Sequence, residues 1–316
     1  MIKPKEKNAD GKLYIDSKGL ELVCVRKDNR FVYLVYEDKN LIDLEIENAN
    51  ELPIGTRCVG KVCDISKDIN AAFVMLPDKN KAFLKNGGNL KCEMNIPVEI
   101  IRSSSKGKLI SVKSTDDDIE HRSDLSIISY GKRAYEKLFD TYHFDKVLTD
   151  DDVLFDTLKN FLSSSPYVLD LSCLKRYNDS MVGLSVLYSV SQRIKEASSK
   201  TVWLKSGANL IIEETSAFTV IDINSAKSGY SDNLSYLDIN LEACDEIFRQ
   251  MNLRNLSGII LIDFINLKKN EEKILIEKIN GLAKFQKNYT KLVDITPLGI
   301  AELTRKKEGC TLSDIN

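Results

Sequence analysis

Two apolar runs, each ending on an aspartate, constrain this chain more than any other feature. Phe218-Thr219-Val220-Ile221 ends on Asp222 and leads into Ile223-Asn224-Ser225, while Ile259-Ile260-Leu261-Ile262 ends on Asp263 and continues Phe264-Ile265-Asn266. Short, β-rich apolar runs read as buried strands, and the segment between them has helical periodicity. Strands joined by a helical crossover lie side by side or nearly so, which brings the two rims together. Two close carboxylates repel unless a proton or a cation sits between them. A hard divalent cation, Mg²⁺ or Mn²⁺, is the economical partner. Either Asp alone reads as a strand end or the cap of a turn. The pair, with Asn224 beside it, reads as a metal site.

At 316 residues the chain has room for two or three domains. Its net charge of −2 gives no blanket attraction to polyanions, so a nucleic acid would have to be held by local basic patches. The N-terminus, Met1-Ile2-Lys3-Pro4-Lys5-Glu6-Lys7, lacks the apolar core of a signal peptide, and no run approaches membrane-spanning length. Seven cysteines (Cys24, Cys58, Cys63, Cys92, Cys173, Cys244, Cys310) are scattered without a Cys-x-x-Cys, most of them in apolar patterns. That suits free buried thiols in a reducing cytoplasm. With only His121 and His143 to assist, zinc is not expected.

Residues 1–17 read as a polar tail. Leu20-Glu21-Leu22-Val23-Cys24-Val25, Phe31-Val32-Tyr33-Leu34-Val35-Tyr36 and Leu41-Ile42-Asp43-Leu44-Glu45-Ile46 read as one antiparallel sheet. Five short strands follow, at residues 53–62, 70–76, 81–84, 96–101 and 108–112, with the spacing of a small closed barrel of the oligonucleotide-binding (OB) type. Phe73 and Phe83 are then candidate base-stacking surfaces, with Arg102, Lys106 and Lys108 on adjacent turns for phosphate. The plain alternative is that both rings fill the barrel core. Helical patterns follow at 130–142, 151–163 and 185–198, with short strands at 146–148 and 167–171. The runs Asp116-Asp117-Asp118 and Asp150-Asp151-Asp152 read as a solvated loop and a helix N-terminus rather than as metal sites.

In the final third, Trp203-Leu204, residues 209–214 and residues 217–221 read as a meander, and residues 227–231 as a polar loop. A long helix at 234–253 places Leu237, Leu241, Cys244, Ile247, Phe248 and Met251 on one side. After the second aspartate-ended strand come a helix at 274–285 and a strand at 292–295. Thr296-Pro297 then opens a last helix ending in Arg305-Lys306-Lys307.

These residues resemble those of the bacterial ribonuclease E/G endoribonucleases. The blocks that match are Ile221-Asp222-Ile223-Asn224-Ser225, Asn240-Leu241-Glu242-Ala243-Cys244-Asp245-Glu246-Ile247 with Arg249-Gln250, the stretch Leu253-Arg254-Asn255-Leu256-Ser257-Gly258 running on to Ile265, and Thr296-Pro297-Leu298-Gly299 with Glu302-Leu303-Thr304-Arg305-Lys306. The blocks around Phe73 and Phe83 match the family's barrel, and the likeness covers about residues 18–307. It implies a mixed α/β (α+β) multidomain chain. A ribonuclease-H-like domain (18–50 and 115–200) would carry an inserted OB-type RNA-binding barrel (51–114), followed by a deoxyribonuclease-I-like catalytic domain (201–307) and a tail (308–316). It also implies Mg²⁺-dependent cleavage of single-stranded RNA in RNA processing or decay. Asp222 and Asp263 match the metal-binding aspartates, Asn224 an active-site amide, and Phe73, Phe83 and Lys106 the barrel positions that help hold RNA. Arg249, Arg254, Arg305 and Lys306 are candidate phosphate clamps, each of which alone reads as a solvated helix residue.

The chain departs from the family pattern in three places. The family's pocket for an RNA 5′-monophosphate has no counterpart between barrel and helices, so preference for that end is not expected. Only Cys310 stands where the family carries a Cys-Pro-x-Cys that shares zinc between subunits. A homodimer is open, but zinc-linked assembly is not expected. Asn266 stands where many relatives place an acid. The competing reading is an RNA-binding protein that keeps the scaffold with little or no catalysis.

Overall fold

Alternating apolar side chains and tight turns lay down the first sheet. β1 (Leu20–Lys27), β2 (Arg30–Glu37) and β3 (Asn40–Asn48) follow one another directly, with Asp28, Asp38 and Lys39 at positive φ in the turns. The computed structural model describes residues 6–7, 13–14, 19–104, 107–122, 124–164, 171–215, 217–225, 235–307 and 311–315. Glu6–Lys7 and Leu13–Tyr14 pair as two short antiparallel strands. The chain divides into two units, residues 1–41, 45–184 and 314–316 in one and residues 42–44 and 185–313 in the other.

In the first unit β4 (Arg57–Ser66), β5 (Ala71–Met75), β6 (Lys81–Lys85), β7 (Asn95–Arg102) and β8 (Ile110–Ser114) run in the order β4-β5-β6-β8-β7. Pairing of β7 back onto β4 closes this five-stranded barrel, as the spacing predicts. β9 (Ile127–Ser129) adds to its edge at β4. Val62, Val74, Leu84, Val98, Ile100 and Val112 fill the interior.

α1 (Ala134–Thr141), β10 (Lys146–Thr149), α2 (Asp152–Ser164) and β11 (Leu174–Arg176) follow. β10 and β11 extend the first sheet to the order β11-β10-β1-β2-β3, with β10 parallel to both of its neighbours. Asp151 caps α2 by accepting from Leu154 N–H at 2.8 Å, and Asp117 pairs with Arg57 at 3.0 Å in a segment without regular structure. Both Asp runs are therefore placed as their sequence context suggests. The strand expected at 167–171 falls mostly outside the described residues, and Leu171 itself lies in a 3₁₀ turn, Leu171–Cys173.

The main stretch of the second unit starts at residue 185. The helix expected at 185–198 is broken into α3 (Leu184–Leu187) and α4 (Val190–Ala197), because Ser189 takes a left-handed φ of 49° that no helix continues through. Then come β12 (Thr201–Trp203), β13 (Asn209–Glu214), β14 (Phe218–Asn224), α5 (Tyr236–Leu253), β15 (Gly258–Asp263), α6 (Lys269–Ala283), β16 (Thr290–Ile295), β17 (Ile300–Arg305) and α7 (Leu312–Ile315). The sheet order is β12-β13-β14-β15-β17-β16. The polar loop expected at 227–231 lies outside the described residues.

β17 replaces the expected last helix. Gly299 takes φ 87°, and Thr296 and Ile300 close a hairpin turn with a 2.9 Å backbone bond. The following residues then bury Ala301, Leu303 and Arg305 in alternation. Insertion between two strands, with period-two burial, decides for strand over the helix-like Thr-Pro start.

Candidate active site

β14 and β15 are parallel neighbours joined through α5, and their register sets Asp222 directly against Asp263. Adjacent strands lie about 4.8 Å apart, so the carboxylates stand within reach of one cation. Alternation decides where they point. Ile221, Ile223, Ile260 and Ile262 are buried against Ala243, Cys244, Ile247, Phe248 and Met251 of α5 and Leu275 and Ile279 of α6. Asp222 and Asp263 therefore face the other side of the sheet, where Asp222 is half-buried and Asp263 exposed.

Asn224 lies two residues along on the same face. Its Nδ2 donates to Asp222 Oδ2 at 2.9 Å, which holds that carboxylate and leaves the amide oxygen as a further donor atom. Among the described residues, no group of three or more His, Cys, Asp or Glu side chains is placed to hold a metal. Two carboxylates with one amide oxygen still fit a hard dication, which binds through one or two carboxylates and keeps several waters.

The chain leaving Asp263 is fixed from behind. Asn240 of α5 is fully buried, donates from Nδ2 to the Ile265 carbonyl at 2.8 Å and accepts from Ile265 N–H at 3.2 Å. Its amide acts as a stretch of backbone edge and fixes where β15 ends. Sequence reading missed this role, although a polar residue inside an apolar helical stripe was the available signal. The stripe itself is also shifted at its start: Ile239 and Asn240 are buried there, not Leu237 and Leu241. Asn266 lies at the β16–β17 turn, where a Cβ built on Gly299 would meet its Oδ1 at 3.4 Å.

The arginine expectations need correcting. Arg305 is 1% exposed, on the core face, donating to the Leu256 carbonyl at 2.5 Å and to Asn252 Oδ1 at 2.9 Å. Arg254, 4% exposed, donates to Gln250 Oε1 at 2.8 Å and the Ser199 carbonyl at 2.6 Å. Both anchor backbone and neighbouring amides, so neither is presented to a phosphate. Arg249 is bound through two nitrogens to Glu246, at 2.7 and 2.8 Å, and belongs to the helix layer across the sheet from the aspartates. Lys306 alone of the four is exposed.

On the barrel, Phe73 and Phe83 oppose each other across β5 and β6 with ring centroids 6.1 Å apart, edge to face. Neither ring joins the barrel core; both are half-buried on the outer surface, because Ala72, Val74, Ala82 and Leu84 take the inward positions. Lys81 Nζ stands 4.6 Å from the Phe73 ring centroid. The row continues from Phe83 to Ser111 and Arg102, whose Nη2 donates to Ser111 Oγ at 2.9 Å. Arg102 thus lies on a strand of the platform rather than on a turn. Lys106 falls outside the described residues.

A family model described as "Ribonuclease E/G family" matches residues 111–308, well over half of the chain. The chain belongs to the ribonuclease E/G family. It is 40% identical over 137 residues to a ribonuclease E of Synechocystis, 35% identical over 178 residues to a ribonuclease G of Haemophilus influenzae, and 32% identical over 167 residues to a ribonuclease G of Escherichia coli. These matches cover 42%, 55% and 52% of this chain. They span 20% of the Synechocystis protein and about a third of the other two. Among the described residues, no helix is long and apolar enough to cross a membrane.

Proposed function

We propose that the chain is an endoribonuclease that cleaves single-stranded RNA with Mg²⁺, or Mn²⁺ in its place, at Asp222 and Asp263, in RNA processing or decay. The observation that carries this reading is the in-register pair of carboxylates on the open face of a sheet, tied to Asn224, in a member of this family. The metal, when bound, would neutralise charge on the scissile phosphate and acidify a bound water. Asp222 and Asp263 would hold it, and Asn224 would keep the Asp222 carboxylate oriented and offer its amide oxygen. Asn240 positions the end of β15 and so the Asp263 carboxylate. This chemistry draws on no histidine, which suits a chain that has only two.

The barrel reads as the RNA-holding surface. Phe73 and Phe83 offer ring edges and faces to bases, and Lys81 and Arg102 supply charge to the backbone. The five-stranded mixed sheet reads as a ribonuclease-H-like part and the six-stranded sheet with α5 and α6 as a deoxyribonuclease-I-like part. Labelled single-stranded RNA incubated with the protein and Mg²⁺ is expected to show internal cuts that EDTA abolishes. RNA that is retained on a filter yet uncut under both conditions would favour the scaffold-only, RNA-binding reading instead.

A further inference from the structure

Trp203 is the chain's single tryptophan and is 70% exposed. Tryptophan is highly buried on average, so this exposure calls for a reason. Its place in the sheet supplies one. Trp203 of β12 is in register with Asn209 of β13, and Asn209 with Asn224 of β14, so all three share the face that carries the aspartates. The indole therefore stands two strand spacings, about 10 Å, from the residue whose amide holds Asp222. Two other exposed apolar side chains of this face, Phe218 and Ile259, pair with each other at its far end. Between them and the aspartate row runs Glu213, Val220, Leu261 and Glu302. Trp203 thus stands beside Asn209 and Asn224, next to the aspartate row and separated from Phe218 and Ile259 by the rows between.

We propose that Trp203 is a base-stacking platform for the RNA strand that lies across the aspartate pair, taking a base that flanks the scissile phosphate. The inference rests on the nuclease reading and adds to it a substrate contact outside the barrel. Stacking on an aromatic ring is tolerant of base identity, so the contact strengthens binding without selecting sequence.

Because Trp203 is the only tryptophan among twelve tyrosines, emission excited to the red of tyrosine absorption reports this site alone. The experiment titrates the full chain, carrying Asp222→Asn to prevent cutting, with a short single-stranded oligoribonucleotide, and in parallel with inorganic polyphosphate, which has charge but no bases. Saturable quenching by the RNA and none by polyphosphate is expected. With the otherwise native chain, Trp203→Ala should raise KM for RNA about ten- to a hundredfold with a much smaller change in kcat, and Trp203→Phe should recover most of it. Unchanged emission with RNA that filter binding shows to be bound would overturn the proposal while leaving the nuclease reading intact. Quenching without cleavage by the native chain would uphold the stacking and sink the nuclease reading. Emission that shifts with protein concentration but not with RNA would assign the face to a second copy and overturn the proposal. RNA that fails to bind at all would overturn both.

Discussion

Asn240 and Arg305, both buried, and the half-buried Glu47 show how single polar groups hold this structure. Replacing Asn240 with Ala leaves the Ile265 N–H and carbonyl without these partners, a cost of about 1–3 kcal/mol. A lower denaturation midpoint for Asn240→Ala, together with slower cleavage as the end of β15 loosens, is the expected outcome. Arg305→Ala should destabilise by a similar amount, since it strips the donors from Asn252 Oδ1 and the Leu256 carbonyl. Lys306→Ala should leave the midpoint unchanged, because that side chain is exposed. Equal midpoints for the Arg305 and Lys306 variants would refute the anchoring role. Glu47 accepts from Tyr33 Oη at 2.9 Å and from Ala134 N–H at 3.1 Å, and burial raises its pKa despite both bonds. A raised folded-state pKa means that stability from this group is present in acid and is lost as pH climbs through that value. Glu47→Gln keeps an acceptor without the charge, so it should raise the denaturation midpoint at neutral pH and lose that advantage as the solution is acidified.

At the scale of elements, the strands were the most legible part of the sequence. The runs around Asp222 and Asp263 carry β-branched residues, and a helical crossover between them leaves a parallel pair as the economical arrangement, which the register confirms. The barrel was equally readable, since five short runs separated by turn residues leave few ways to close. The failures have physical causes. Thr296-Pro297 carries a helix-start signal, but a turn with Gly299 at positive φ and a vacant place between β15 and β16 override it. Ser189 breaks a helix-periodic stretch that periodicity alone cannot interrupt. Arg254 and Arg305 look like surface cations in sequence because their carbonyl partners, on Ser199 and Leu256, come from distant parts of the chain. The half-buried Phe73 and Phe83 pair carries its own prediction. Ala at either position should weaken single-stranded RNA binding by about 1–3 kcal/mol without unfolding the barrel, because neither ring belongs to its core. A fluorescence or filter-binding titration beside a melting curve separates the two effects, and loss of folding with either substitution would contradict the surface placement.

Across the whole molecule, the cysteines test the burial pattern independently of function. Cys24, Cys58 and Cys244 are buried, with their thiol pKa values pushed up by burial, that of Cys58 to about 12. Cys63 and Cys92 are exposed, against the expectation that most of the thiols would be buried. A thiol reagent should therefore modify Cys63 and Cys92 in the native protein, and Cys24, Cys58 and Cys244 only after unfolding. The proposed cleavage depends on Asp222 and Asp263 together holding the metal at which RNA is cut. The direct measurement is cleavage of a labelled single-stranded RNA with Mg²⁺ by the wild type, Asp222→Asn and Asp263→Asn. Losing one carboxylate should remove several kcal/mol of charge stabilisation, on the order of 100- to 1,000-fold in rate, in each variant with RNA binding retained. Cuts that persist at the wild-type rate in both variants would contradict the account and place the chemistry elsewhere in the chain.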